Sequence, residues 1–438
     1  MIMAPRHVLG AVLLLCALPG TPAGAQARGA VPSHNPVASI TLQEVVALTL
    51  AQSPDLLAYD ASRRASEAQR EQAARLPNPV VTTTVEDVAG ANASPDMVGV
   101  IAPQTTVQLS QLIELGGKRA ARQRLAGLDR DLATWDYEAA RLDVLSRVAS
   151  AFVGVLASQQ AVAQAADAFG VARHVRETVG ARVAAGVVSP IEETRAEVLV
   201  ATAQIDVDRA RRTLDARRVA LATHWGSPVA AFTVATGDLE VRPDVPPFAT
   251  LEAAIARTPD VARWMTEVER RRAVLTVERA ARVPDVELSA GYRRFTSVDS
   301  HALLFGAAIP LPLFDRNRDG IRAAAAAVEQ TTHAGRAAEL LLRARLADAY
   351  RALTSADDEV ATLRSRIVPG ARAVFDAVRE GYELGRFGLM DVLDAQRTLV
   401  DASGRYVEAL ATFHRAVAAV ERLVGRPLGE AGAFERQD

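Results

Sequence analysis

The chain has 438 residues, enough for two or three ordinary domains, and its 50 basic residues nearly balance its 52 acidic ones. That balance leaves no electrostatic case for a nucleic-acid partner. The one cysteine, Cys16, lies near the start, so the rest of the chain has no disulfide framework, zinc knuckle or cysteine nucleophile.

Residues 1–25 read as a secretory signal. Arg6 and His7 precede an apolar run from Val8 to Leu18, and Ala23-Gly24-Ala25 is a small-residue cleavage site. A lipid-attachment cysteine wants a small residue before it; Leu15 stands there, so cleavage after Ala25 is the expectation. Residues 26–39 form an extension. A capping box at Thr41 and Glu44 opens a helical stretch from Ile40 to Arg75, interrupted at Pro54. Two strands rich in Val and Thr follow, about 78–87 and 105–112, separated by a loop, and Gly116-Gly117 marks a corner. No proline occurs from Lys118 to Ala185, and a continuous helix of that length reaches roughly 100 Å. Within it Leu142, Leu145, Ala149, Phe152 and Leu156 step by three and four, which is coiled-coil spacing. A turn at Gly186 to Pro190 sends the chain back through a second helical run, Ile191 to Trp225.

A linker over 227–250, Pro-rich from Val241 to Pro247, leads to a second set of elements. Val286, Leu288, Ala290 and Tyr292 alternate with polar residues in a strand at about 285–293, and a further strand covers about 302–310. A long helix runs from Ile321 towards Ile367, where Pro369 should kink it. The last helix, about Leu389 to Leu423, carries Leu399, Tyr406, Phe413 and Val420 at intervals of seven. No stretch after the signal reaches the ~18 apolar residues of a membrane-spanning helix.

The second set echoes the first. Gly186, Glu192 and Gly226 recur as Gly385, Asp391 and Gly425 at a constant offset of 199. Arg75-Leu76-Pro77-Asn78 recurs as Arg282-Val283-Pro284-Asp285, and Ser53-Pro54-Asp55 as Thr258-Pro259-Asp260. The copies, 40–226 and 251–428 with a tail over 429–438, are far longer than a solenoid repeat and indicate one duplication. Each reads as helix, strand, strand, long helix, turn, long helix. The four strands have one apolar face and the ~9–11 residue length that spans an outer membrane. Four strands cannot close a barrel, and open edges are not tolerated in lipid, so further copies must complete it.

Leu76-Pro77-Asn78-Pro79, the run Leu112 to Arg119, Gly186 to Glu192, Pro310 to Arg318 and Tyr382 to Asp394 resemble the TolC family of outer-membrane efflux proteins, over essentially all of the mature chain. Within that family the chain is most similar to the cobalt–zinc–cadmium branch. The resemblance implies a mainly α fold with a small membrane β-barrel. It also implies a homotrimer with a twelve-stranded barrel and a periplasmic helical tunnel, placed in the outer membrane of a Gram-negative cell. Such a channel contacts outer-membrane lipid and docks through a periplasmic adaptor onto a resistance-nodulation-division type transporter. It is not an enzyme and carries no cofactor. Drugs, solvents or polypeptides remain alternative cargoes. A periplasmic coiled-coil adaptor is the competing class, although that should have one hairpin rather than two.

Asp391 and Asp394, at i and i+3, can share one helix face, and by the resemblance they form the narrowest ring of the tunnel. The alternative is an acidic helix start favoured by the helix dipole. Glu192 and Arg195 occupy the same places in copy one, and Arg195 on a neighbouring helix could latch Asp394. Gly186, Val187, Val188, Ser189, Gly385, Arg386, Phe387 and Gly388 make the sharp tips, which the family presents to the adaptor. Alternation puts Glu287 and Arg293 towards a barrel lumen and Val286, Leu288 and Tyr292 towards lipid. The histidines show no zinc-site spacing, and Gly116-Gly117-Lys118 followed by Arg119 is not a phosphate loop.

Overall fold

The computed structural model describes residues 37–86, 103–296 and 299–428. The expected signal with Cys16, most of the extension, nearly all of the first hairpin loop and the tail 429–438 lie outside the described residues.

The chain begins with β1 (Val37–Thr41), α1 (Leu42–Gln52), α2 (Pro54–Ala73), β2 (Val80–Glu86) and β3 (Gln104–Ile113). Then come α3 (Lys118–Ala184), α4 (Pro190–Thr223), β4 (Phe232–Thr236), α5 (Phe248–Ile255) and α6 (Pro259–Ala281). β5 (Val286–Phe295), β6 (Ser300–Ala308), α7 (Arg318–Thr362), α8 (Val368–Glu383) and α9 (Leu389–Val424) complete it. The capping box at Thr41 is present, with the Thr41 N–H donating to Glu44 at 2.8 Å. Pro54 and Pro259 each begin a helix, where a missing N–H costs nothing. No described helix is long and apolar enough to cross a membrane.

α3 runs unbroken for 67 residues and packs against α2, α4, α6 and α9. α7 leans on α6 and α9, and α8 on α9. Side by side, the long helices therefore stand in the order α4, α3, α9, α7/α8. The helix expected to run on towards Ile367 instead ends at Thr362 in a π-helical turn, Leu363–Ile367, where the Val368 N–H reaches back to the Leu363 carbonyl. The extra residue accommodates Pro369, which has no N–H to give and whose ring crowds the preceding turn.

The repeat's separate sequence echoes meet in space. Gly226, ending α4 at φ 77°, abuts Pro54 at the start of α2, and Gly425, ending α9 at φ 73°, abuts Thr258 before α6. The short helices thus continue the long ones. Arg147 of α3 holds Asp55 at 2.8 Å, and Arg422 of α9 holds Asp260 at 2.6 Å, so each junction has an acidic first turn gripped by an arginine.

The main core lies at mid-length, where Val144, Val148, Leu346, Leu353, Leu410 and Phe413 are buried. Burial of α3 follows Val144, Val148, Phe152 and Val155 more closely than the expected stripe, because α3 has neighbours on several sides and one heptad seam does not describe it. A smaller core near the helical tips gathers Val175, Val179, Phe375, Tyr382, Leu389 and Val392.

β2, β3, β5 and β6 form one antiparallel sheet in that order. β1 and β4 form a separate parallel pair, with Ser39 opposite Val234, in regions read from sequence as extension and linker. Gln159 of α3 grips β4 twice, accepting from the Ala235 N–H at 2.7 Å and donating to the Ala235 carbonyl at 2.9 Å. Ile40, Phe232 and Ala235 of this ribbon are buried in the main core.

Candidate functional site

The sheet has two chemically distinct faces. Register places Val81, Val107 or Leu109, Leu288 or Tyr292, and Leu303 or Phe305 on one side, and all are exposed. Thr82, Thr84, Thr106, Gln108, Ser110 and Ser289 occupy the other. Glu287 and Arg293 both lie on this second face, near opposite ends of β5. Arg293 donates to Thr106 Oγ1 at 2.9 Å and sits 3.6 Å from Glu86. Val80, Leu112 and Leu304 share this second face, so an exposed apolar face is backed by a mixed one, as in a sheet whose apolar side meets lipid. The outer strands β2 and β6 have no partner on one side among the described residues.

The helical wall has free edges in the same sense. α4, from copy one, turns outward an exposed apolar stripe of Ile191, Val198, Ile205 and Val219, all on one heptad register. In the helix at the opposite edge Ile367 and Val374 are exposed seven residues apart, along the groove that this helix makes with α9.

The two hairpin tips share one backbone. Gly186 and Gly385 are left-handed, and in each the glycine N–H and its successor's N–H close onto carbonyls three and five residues back. Both are Schellman turns. Ser189 starts α4 with its hydroxyl accepting the Ile191 N–H, and Pro190 follows. Gly388 starts α9, and Asp391 accepts its N–H at 2.8 Å. Val187 and Phe387 are exposed beside Val188, Arg386 and the tip glycines.

The four aperture candidates separate. Asp391 and Asp394 are exposed and line one groove of about 420 Å³ between α8 and α9, with Val374, Val378 and Phe387. Glu192 is half-buried beside Tyr382, and neither Glu192 Oε2 nor the Tyr382 hydroxyl has a hydrogen-bond partner among the described residues. Arg182 donates to the Tyr382 carbonyl at 2.8 Å and lies 4.6 Å from its ring centroid. Burial pushes the Tyr382 phenol up; Arg182 opposes this and Glu192 reinforces it. Arg195 is exposed, and no ion pair joins it to Asp394 in the single chain, where α3 stands between α4 and α9.

A clasp beside the π-turn escaped the sequence reading. Tyr406 of α9 donates to Glu240 at 2.6 Å, and Arg364 of the π-turn approaches the same carboxylate at 4.0 Å. Arg242 pairs with Asp357 and lies over Phe413. Burial, then the bond to Glu240, pushes the Tyr406 phenol up to about 12. Tyr406 was visible only as a polar aromatic within the heptad series.

A profile described as "Outer membrane efflux protein" matches residues 45–227 and 250–426. The chain is 33% identical to the cobalt-zinc-cadmium resistance protein CzcC of Cupriavidus metallidurans, over 88% of this chain and 90% of that one. It is 27% identical to the nickel-cobalt-cadmium resistance protein NccC of Alcaligenes xylosoxydans, over 66% and 64%. Among solved structures, CusC, described as undergoing transmembrane channel formation, superposes with a TM-score of 0.74 at 15% identity, covering 88% of this chain and 92% of that chain.

Proposed function

The chain belongs to the outer membrane efflux protein family, and from that premise we propose that it is the exit duct for divalent heavy-metal cations in a tripartite pump. The observation that carries the channel reading is the pair of matched free edges. β2 and α4 bound copy one, β6 and the α7/α8 helix bound copy two, and β6 runs antiparallel to β2. Whole chains can therefore join head to tail, each β6 pairing with the next chain's β2 while the α4 stripe meets the α7/α8 edge. Such a heterologous contact closes into a ring, and three chains supply twelve strands. The stripe residues are already about half-buried, so covering each contributes about 1 kcal/mol.

In this ring the apolar sheet face meets lipid, and Glu287 and Arg293 line the lumen. Copy boundaries near 40–226 and 251–428 make each copy one hairpin of the tunnel. The tips are the surface for a periplasmic adaptor, which links the duct to a proton-driven resistance-nodulation-division transporter. Threefold symmetry gathers three copies each of Asp391 and Asp394, a cation-selective ring that mutual repulsion resists closing. An Arg195 latch on Asp394 can form only between neighbouring chains, since α3 separates α4 from α9 within one chain.

The metal cargo is supported by the likeness to CzcC across nearly the whole chain. Deleting the gene should sensitise cells to zinc, cobalt or cadmium and leave dye, detergent and antibiotic tolerance unchanged. Sensitivity to drugs with normal metal tolerance overturns the cargo and keeps the channel.

A further inference from the structure

The two strand-to-helix corners differ in length. Copy one needs only residues 114–117 between β3 and α3, whereas copy two uses residues 309–317 between β6 and α7. The short corner is packed down. Leu115 N–H donates to Asp285 at 3.0 Å, Lys118 holds Asp285 at 2.8 Å, and a Cβ on Gly116 would lie 2.7 Å from Val283. The long corner is tied to the rest of the described residues at its ends. β6 anchors one side, and at the other the Asn317 amide donates to the Glu278 carbonyl at 2.9 Å and its carboxylate at 2.6 Å.

Between those anchors the chain turns apolar side chains outward. Leu303 and Phe305 belong to the apolar sheet face, and their parity continues beyond the strand through Ile309, Leu311 and Leu313. These last three are 52%, 74% and 66% exposed, and Phe314 is 100% exposed. Pro310 and Pro312 remove two N–H groups that would otherwise need partners away from water. Asp315 comes next and accepts the Asn317 N–H at 2.7 Å, Arg316 and Arg318 flank Asn317, and Arg316 also donates to the Pro312 carbonyl at 3.2 Å. Exposed apolar residues continuous with a lipid-facing sheet, with Arg316 and Arg318 just beyond them, match the interface between acyl chains and headgroups.

We propose that Ile309–Phe314 is a membrane anchor, seated in the periplasmic leaflet of the outer membrane at the foot of the barrel, with Arg316 and Arg318 on phospholipid phosphates. The inference rests on the barrel reading above. It gives the longer corner of copy two a task that the shorter corner cannot perform.

The test uses the full chain with Cys16→Ala, reconstituted in phosphatidylethanolamine–phosphatidylglycerol vesicles. Nitroxide labels are placed singly at Phe314→Cys and Leu311→Cys, with Phe305→Cys as the lipid-face reference and Ser289→Cys as the lumen reference. Collision rates with oxygen and with a water-soluble nickel complex are compared. Labels at 311 and 314 should favour oxygen several-fold over nickel, as at 305, while 289 favours nickel. If 305 reports lipid but 314 and 311 report water, the anchor is wrong. If those two are instead shielded from both relaxers, the segment is covered by the next copy and the anchor is equally wrong. If 305 itself reports water, the barrel reading falls and the anchor with it.

Discussion

The two hairpins share one duplicated layout but differ in where their helices are interrupted. α3 of the first is a single helix of 67 residues, gripped along its length by other helices and by the β1–β4 ribbon. The second reaches its tip through a π-turn and Pro369, with α8 beyond packed mainly on α9. The tips have the same Schellman backbone but divide the carboxylates differently. Copy one turns Glu192 inward against Tyr382, while copy two leaves Asp391 and Asp394 on an open groove. The duplicated layout thus carries one uninterrupted long helix and one broken by a π-turn, and the exposed aspartate pair sits in the second hairpin.

The strongest way to break that contrast is Tyr382→Ala. It empties the small tip core where both hairpins meet, at a cost of roughly 3–5 kcal/mol. Tryptic cleavage at Arg386 should accelerate sharply, whereas Val183→Ala, the same place in copy one, should change it far less. Cleavage rates that match for the two variants remove the asymmetry.

Next is the double change Asp391→Asn with Asp394→Asn. It should lower cation selectivity in planar bilayers several-fold, while Glu192→Gln, half-buried, leaves selectivity nearly intact. Equal losses would place all three carboxylates on the conduction path. Asp391→Ala alone also removes the acceptor for the Gly388 N–H, costing about 1 kcal/mol at the start of α9, whereas Asp394→Ala leaves that cap in place. Amide exchange over the first turn of α9 distinguishes them.

The smallest effect concerns the clasp at the joint. The Tyr406 phenol is pushed above its ordinary value of 10 to about 12, so its contribution is complete below pH 10 and is lost as pH rises towards 12. Protease resistance near the π-turn should fall across that alkaline window, and Tyr406→Phe should flatten the fall. A profile unchanged by Tyr406→Phe places the pH sensitivity elsewhere.

Much of this was legible residue by residue. The absence of proline from Lys118 to Ala185 permits one long helix, and Thr41 with Glu44 reports a helix start because a capping box is local chemistry. Pro369 announces a break in the last-but-one helix, although not that the break takes π form. β1 and β4 were missed because each has five residues and its partner lies nearly half the chain away. Tyr382 was read as part of a family string, and nothing near it in sequence shows that it faces Glu192.

Sequence by itself determined the long helices, the four strands of the larger sheet and the duplication, because caps, prolines and alternation act over a few residues. Tertiary structure decided which carboxylate turned inward, which helix packed on all sides, and which strand and helix edges stayed open. Those outcomes depend on contacts between segments that local propensity does not encode. The corner at Ile309–Phe314 shows both: its apolar alternation is written in the residues, and its exposure follows from being tethered at its ends.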